Sequence, residues 1–359
     1  MTPNICLTSY APQDYNIFIG LDVDKNSFSF TVKDHTTMQR SKKIPSQPEA
    51  LYNYIQNNYP NQKVICAYEA GPTGLHLHDY LTDKQLPCLV VPPISIPHAP
   101  NERVKNNRID SIKIAEELRC GKLKFIRVPP EAYRELRHLV GIREQYAQSR
   151  RAAKQRIKAL LLCAYLYPSL KDIEQNWSNH YIKQLQQIDC SFAVRQRLDM
   201  LLMDLDYARK QTLLILRQLK TFCEQHPGIN QYMKYLDSIP GIGFITAVTV
   251  LARIGDPQYL KNPRELAAFI GLVPREHSTG DHVFRGSITH LGCRTLRSLL
   301  VEAAWVAIRH NVQLKEFYCR IRNKHHPLVG SNKAIVAVAR KLTQIIYRVL
   351  KEQRMYMAH

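Results

Sequence analysis

The chain has 359 residues, 45% of them hydrophobic, and carries 50 lysines and arginines against 30 aspartates and glutamates, a formal net charge of +20. That is enough apolar material for two or three domains with buried cores, and a surface of this sign repels cations and attracts polyanions. The charge is concentrated. Between Arg103 and Lys158 there are 16 basic and 6 acidic residues, from Lys315 onward 10 and 2, while the first hundred residues are nearly balanced. One such run is an ordinary solvated helix face; two, interleaved with aromatic and apolar helical residues, point to nucleic acid. The nine cysteines form no CxxC pair and no metal-ligand spacing, so they are expected as reduced, mostly buried thiols of a cytosolic protein. The first residues, MTPNICLTSYAPQD, lack a basic segment followed by an apolar one, as a secretory leader would have. The longest apolar stretch, Ile239 to Ile254, contains Arg253, Pro240, Gly241 and Gly243 and is too broken to span a membrane.

In chain order, residues 16–23 (NIFIGLDV) form an apolar run ending in an acid, and 27–33 (SFSFTVK) alternate with Phe28, Phe30 and Val32 on one face; both predict strands. A third strand over 38–44 completes a meander. Pro48 to Tyr59 predicts a helix, Lys63 to Glu69 a strand, a helix capped by Thr73 runs through about Asp83, and Leu86 to Pro92 is another buried strand. A proline-rich loop (VPPISIPHAPNE) precedes a helix over Asp110 to Leu118. The order βββαβαβα suggests a mixed sheet flanked by helices, as in the RNase H fold. From Glu131 to about Leu166 apolar residues recur near a seven-residue period, and a second helical pattern covers Leu198 to Phe222; together they predict either an antiparallel coiled-coil arm or a helical bundle. His226-Pro-Gly breaks the helix, a compact unit follows from about Tyr232 to His326, and a basic helical tail runs from Asn332.

Three constellations carry possible chemistry. Asp22 ends the first strand, Glu69 ends the fourth, and Asp110 opens the later helix. Carboxylates brought together at one sheet end repel one another unless a divalent cation lies between them, and magnesium takes such oxygen ligands while binding phosphate. The second is IPGIGF, where Gly241 and Gly243 follow a proline and precede an apolar helix. This resembles the turn of a helix-hairpin-helix, which offers backbone N–H groups to a DNA phosphate. The third is the basic segment GLVPREHSTGDHVFRGSITHLGCRTLR. There Ser278 could attack a phosphodiester, Arg275, Arg285 and Arg294 could hold the phosphate, and His277 or His282 could serve as a base.

These segments together resemble the DEDD insertion-sequence transposases, the group that includes the Piv and MooV DNA invertases, from about residue 17 to 320. GLDVDKNSFSFTV, YEAGPTGLHLHDYL and VKNNRIDSIKIAEEL resemble the three acidic blocks of that family. IPGIGFITAVTVLARIGDPQYLKNPRELAAFIGLVPREHSTGD and RGSITHLGCRTLRSLLVEAAW are similar to its C-terminal domain. The resemblance implies a RuvC-like fold over 15–125, a helical or coiled-coil arm over 126–228, a C-terminal transposase domain with a catalytic serine over 229–326, and the basic tail over 327–359. It implies Asp22, Glu69 and Asp110 at acidic positions and Ser278 as nucleophile, with Thr279 as the neighbouring alternative. It departs from the family at Asn107, where the third block usually has a second aspartate. Asparagine can still offer a carbonyl oxygen to a metal, but without charge, and Asp24, two residues after Asp22, could supply the missing negative charge.

The expected protein is therefore a cytoplasmic, nucleoid-associated recombinase that cuts and rejoins double-stranded DNA. It would use Mg²⁺ (or Mn²⁺) and a serine, act as a homodimer or tetramer away from any membrane, and, on the resemblance alone, be guided by a structured RNA. Two rival expectations are a RuvC-like junction nuclease that hydrolyses without rejoining, and an inactivated copy that only binds nucleic acid.

Overall fold

The computed structural model describes residues 9–36, 39–93, 107–167, 176–279, 282–289, 291–324 and 326–357. The chain forms two compact units, Met1–Val128 and Pro129–His359.

In the first unit five strands, β1 (Ile17–Val23), β2 (Ser27–Lys33), β3 (Gln39–Pro45), β4 (Val64–Glu69) and β5 (Cys88–Val91), form one sheet in the order β3-β2-β1-β4-β5. β1, β2 and β3 are an antiparallel meander, and β1, β4 and β5 run parallel. The central strand β1 is a continuous apolar run because both its faces are covered. Ile17, Ile19 and Leu21 join the core beneath the helices α1 (Pro48–Asn58) and α2 (His76–Asp83). Phe18 joins the opposite core with Ile114 and Leu118 of helix α3 (Asn107–Arg119). The edge strand β3 is exposed and carries Arg40, Lys42 and Lys43, charges that discourage further strand pairing.

The helix α2 begins at His76, not at Thr73. Gly74 adopts φ +74° and its N–H donates to Gly71 O at 3.2 Å, so Thr73 lies within a turn and caps nothing. α3 begins three residues before Asp110, and its seat on the sheet is set by Gly20. A Cβ there would lie 2.4 Å from Ser111 O and 2.3 Å from Ala115 N, so the helix backbone rests directly on β1. Two side-chain links then fix α3 to β2. The Ser111 and Thr31 hydroxyls are hydrogen-bonded at 2.9 Å, both fully buried, and the Lys33 ammonium pairs with Glu116 at 2.7 Å. Hydrogen bonds from Arg119 and Lys33 hold the Glu116 carboxyl down at about 2.

The second unit opens with two long antiparallel helices, α4 (Glu131–Cys163) and α6 (Phe192–Gln225). At 1.5 Å per residue each is about 50 Å long. Their apolar stripes meet along the whole length. Tyr133, Leu136 and Val140 pack with Ile215 and Leu219 at one end, and Ile157 and Leu161 with Leu198 and Leu205 at the other. A short helix absent from the expected pattern, α5 (Asn179–Gln187), covers that distal end. Ser178 caps its N-terminus, and the Arg195 guanidinium donates to the carbonyls of Leu185, Gln186 and Ile188 at its C-terminus. The proximal end belongs to a larger helical core built with α7 (Pro227–Asp237), α8 (Phe244–Ile254), α9 (Pro263–Ile270), α10 (Arg294–His310), α11 (Val312–Arg322) and α12 (Pro327–Glu352). The basic C-terminal segment is thus a core helix, with Ala334, Val338, Leu342, Ile346 and Val349 buried. Between α9 and α10 an antiparallel hairpin projects, β6 (Pro274–Thr279) and β7 (His282–Ile288). The described cysteines are unpaired; Cys66, Cys88 and Cys223 are buried, while Cys120 and Cys163 are exposed, so burial is less general among them than expected. Among the described residues no helix is long and apolar enough to cross a membrane.

Gly20→Ala should lower stability by about 1–3 kcal/mol or more, because the added methyl meets backbone that cannot rotate away. Urea unfolding of the full chain, followed by the aromatic signal of the first unit, measures it; an unchanged midpoint would mean that α3 does not depend on this contact.

Candidate functional site

The acidic residues occupy one face and one end of the sheet. Along β1, Phe18 and Gly20 face α3, so Asp22 does too, since side chains alternate along a strand. Along β4, Ile65 and Ala67 share that core, which puts Glu69 on the same face. The two strands are parallel neighbours paired through Leu21 and Tyr68, so Asp22 and Glu69 stand one step further, side by side at the carboxyl ends. Asp110 lies in the first turn of α3, on that face, and is buried at 9% exposure. The Gly20 seat and the adjacent Ser111–Thr31 bond hold this turn against the sheet. Carboxyl ends of parallel strands are the usual place for a ligand in such sheets.

Sharing a face is not the same as converging on a point. Among the described residues no three histidine, cysteine, aspartate or glutamate side chains come close enough together to hold an ion. The donor chemistry itself, oxygen only and anionic, suits a hard divalent cation. Asn107 is the first residue of α3, and its side chain lies outside what the structure describes. Asp24 is corrected by the structure. β1 ends at Val23, and Asp24 belongs to the turn into β2, where its N–H donates to Ser27 O and its carboxylate accepts from the Lys25 N–H at 2.7 Å. It is a turn residue, not a continuation of the acidic face.

The segment bearing Ser278 is the β6–β7 hairpin. Ser278 pairs with Val283 and Thr279 with His282, so these residues end the ladder among the described residues. The signal for this was present in the sequence. Gly280-Asp281 is a residue pair that favours a two-residue turn, set between alternating residues. The side chains of His277, Ser278, Thr279, His282 and Arg285 lie outside the described residues. Arg275, on β6, and Arg294, the first residue of α10, are exposed.

Residues that sequence reasoning passed over anchor the hairpin. Gly271 ends α9 at φ +81°, and its Cβ position is occupied by Leu291 O; at Gly292, with φ +83°, a Cβ would lie 2.4 Å from Phe269 O. Cys293 N–H donates to Phe269 O at 2.9 Å, Thr289 N–H to Val273 O at 3.0 Å, and the Arg297 guanidinium to the carbonyls of Ile270 and Leu291. The outgoing and returning chains are therefore pinned backbone to backbone.

The IPGIGF turn joins α7 to α8. Gly241, at φ +87°, would place a Cβ 2.3 Å from Ala303 O, so this glycine is required by contact with α10. Gly243 is exposed, has open space where a Cβ would go, and stands at the N-terminus of α8 with no side-chain cap. Of the two glycines, Gly243 alone faces solvent at a helix start where an anion could approach.

Comparison with known proteins bears on both units. Residues 19–166 match the family model of the IS110-type DEDD transposases, and residues 233–319 that of the transposase IS116/IS110/IS902 family. The chain is similar to the transposase for insertion sequence element IS1111A of Coxiella burnetii, 29% identical over 94% of this chain and 90% of that protein. It is also similar to the transposase for insertion sequence element IS1328 of Yersinia enterocolitica, 28% identical over 92% of this chain and 96% of that protein. The pilin gene-inverting protein of Moraxella bovis is 25% identical over 94% of this chain and 96% of its own.

Gly292→Ala should loosen the hairpin base, because a left-handed residue gains both strain and a backbone clash. Amide hydrogen exchange at Thr289 and Cys293 is expected to accelerate about tenfold or more, an opening cheaper by about 1.4 kcal/mol. Gly286→Ala, whose nearest neighbour would be Arg275 Cβ at 3.8 Å, serves as the silent comparison. Equal exchange in both variants would show that the base is not held by Gly292.

Proposed function

We propose that the chain is a DEDD transposase of the IS110/IS116 family acting in DNA transposition and recombination, a reading supported by the matches in both units, and that it cuts and rejoins DNA strands with a divalent cation at Asp22, Glu69 and Asp110 and with Ser278 as nucleophile. The observation that carries this reading is the common face and end of the sheet on which those three acids stand. Strand order β3-β2-β1-β4-β5, with an antiparallel meander joined to parallel strands, supports a RuvC-like first unit.

A bound magnesium or manganese ion would neutralise phosphate oxygens and lower the pKa of a coordinated hydroxyl or water. Asp22, Glu69 and Asp110 supply the anionic oxygens for it, and Asn107 would add a neutral carbonyl. The chain's own part in the covalent step falls to the hairpin. Ser278 Oγ attacks the scissile phosphorus and gives up its proton; the departing DNA oxygen takes one up and leaves as a hydroxyl. The phosphoserine ester keeps the bond energy, and attack by another DNA hydroxyl restores the phosphodiester and frees the serine. Arg275, Arg285 and Arg294 are the cations suited to the phosphate charge, and Gly243 offers N–H groups to a neighbouring phosphate. Ser278 and Thr279 are successive residues of one strand. The basic arm from Arg134 to Lys158 suits a structured guide RNA as well as DNA, and the working form is a homodimer or tetramer in the cytoplasm, at the nucleoid.

Ser278→Ala should bind DNA as tightly as the parent, because lysine and arginine contacts to phosphate dominate affinity, and should form no covalent protein–DNA adduct on denaturing gels. An active Ser278→Ala beside an inactive Thr279→Val would move the nucleophile by one residue; an active parent that never forms an adduct would favour a hydrolytic nuclease.

Asn107→Asp should lower the Mg²⁺ concentration for half-maximal recombination, since each added charged ligand strengthens cation binding. A parent inactive at every metal concentration, with activity appearing in Asn107→Asp, would identify this chain as an inactivated copy. An unmoved midpoint would remove Asn107 from the metal site.

A further inference from the structure

We propose that a cavity between α11, α12 and the C-terminal segment holds one unpaired nucleotide of the bound nucleic acid, its phosphate on Lys341 and Arg348 and its base against the Phe317–Arg320 pair. The nucleic-acid class of this ligand rests on the transposase reading; the site itself is a separate element of the second unit.

The cavity has a volume of about 400 Å³, within the range that encloses a small ligand. Its walls are two helices turned toward each other. Phe317 and Arg320 lie three apart on α11; Lys341, Arg348 and Glu352 lie seven and four apart on α12, so each set forms one stripe. The third wall is the segment after α12. Gln353 adopts φ 50° and reverses the chain, Tyr356 N–H donates to Ser238 Oγ at 2.8 Å, and Asn311 Nδ2 donates to the Tyr356 hydroxyl at 2.7 Å. This wall is fixed at two points.

The charge of the lining is lopsided. Among the described residues Glu352 is the one carboxylate in it, and it is already paired with Arg354 at 2.5 Å. Arg320, Lys341 and Arg348 have no carboxylate partner among the described residues. Three cations converging on a common hollow repel one another unless an anion lies among them. The Arg320 guanidinium sits 5.4 Å from the Phe317 ring centroid, a layered pair on which a base can stack. Cations at one side and a planar platform at the other match a phosphate and its base. A duplex keeps its bases inside the stack and offers only the phosphate.

The test uses the full chain and fluorescent oligothymidine, oligouridine and a duplex, each about 20 nucleotides long to exceed a single-strand site of about 4–16. Lys341→Gln/Arg348→Gln removes two charges from the cavity; Lys63→Gln/Lys84→Gln removes two from the first unit and serves as the control. The cavity variant should weaken single-strand binding about tenfold beyond the control and reduce the salt slope by about 0.7 for a lost phosphate. Phe317→Leu should cost about fivefold or more with the salt slope unchanged, as loss of stacking requires. Duplex binding should change no more than in the control. The oligothymidine and oligouridine arms tell whether the strand is DNA or RNA. A cavity variant no weaker than the control, or one that loses duplex and single strand equally, overturns the site while leaving the transposase reading intact. A parent that binds none of the three probes overturns both.

Discussion

In both units the elements that carry candidate chemistry are positioned by close backbone contacts that only glycine permits. Gly20 lets α3 lie on β1, so that Asp110 reaches the face on which Asp22 and Glu69 stand. Gly271 and Gly292 bring the two ends of the hairpin against each other, and Gly241 brings the α7–α8 turn onto α10. A side chain at any of these positions would separate elements by the width of a methyl group, and close-packed interiors do not absorb such a change locally. Position is therefore set by absence of atoms at a few points, and the apolar cores then hold it.

The positive charge of the chain is divided between two tasks. Several arginines end helices. Arg137 donates to the Ala252 and Arg253 carbonyls at the end of α8, Arg195 to those at the end of α5, and Arg297 to that of Ile270 at the end of α9. Cations in this place satisfy orphan carbonyls and complement the helix dipole. Arg253 pairs with the half-buried Glu144, while burial, with Arg150 nearby, pushes the Arg143 guanidinium below its usual range. Such groups are structural whatever the protein binds. The solvent-facing ones, among them Arg275 and Arg294 and the stripe of α12 that holds Lys341 and Arg348, are those that the proposed phosphate contacts would use. Composition counts both kinds alike.

α12 shows how one helix serves both ends. Its apolar stripe, from Ala334 to Leu350, is core, and its basic residues occupy the remaining surface. The same division governs α4, whose apolar residues meet α6 while its outer face stays charged. A basic amphipathic helix therefore need not be a tail, because its apolar stripe has to be buried somewhere and the nearest apolar partner is the domain itself.

The order of strands and helices in the first unit, the two long helices of the arm and the family resemblance were legible in the amino-acid sequence, because hydrophobic period and acidic blocks are local patterns. The N-terminal start of α2 was not, since Gly74 puts Thr73 in a turn that capping propensity alone does not foresee. Nor was the hairpin around Ser278, whose Gly280-Asp281 turn signal was outweighed by a basic, hydroxyl-rich run. That Asp22, Glu69 and Asp110 share a face follows from strand register and the Gly20 seat, relations between residues far apart in the chain. Asp24 looked equivalent to Asp22 by spacing, but β1 ends one residue too soon. Which glycines serve turns and which serve contact, and which arginines cap helices and which face solvent, is decided only when distant segments meet, because burial and hydrogen-bond partners are properties of the packed chain.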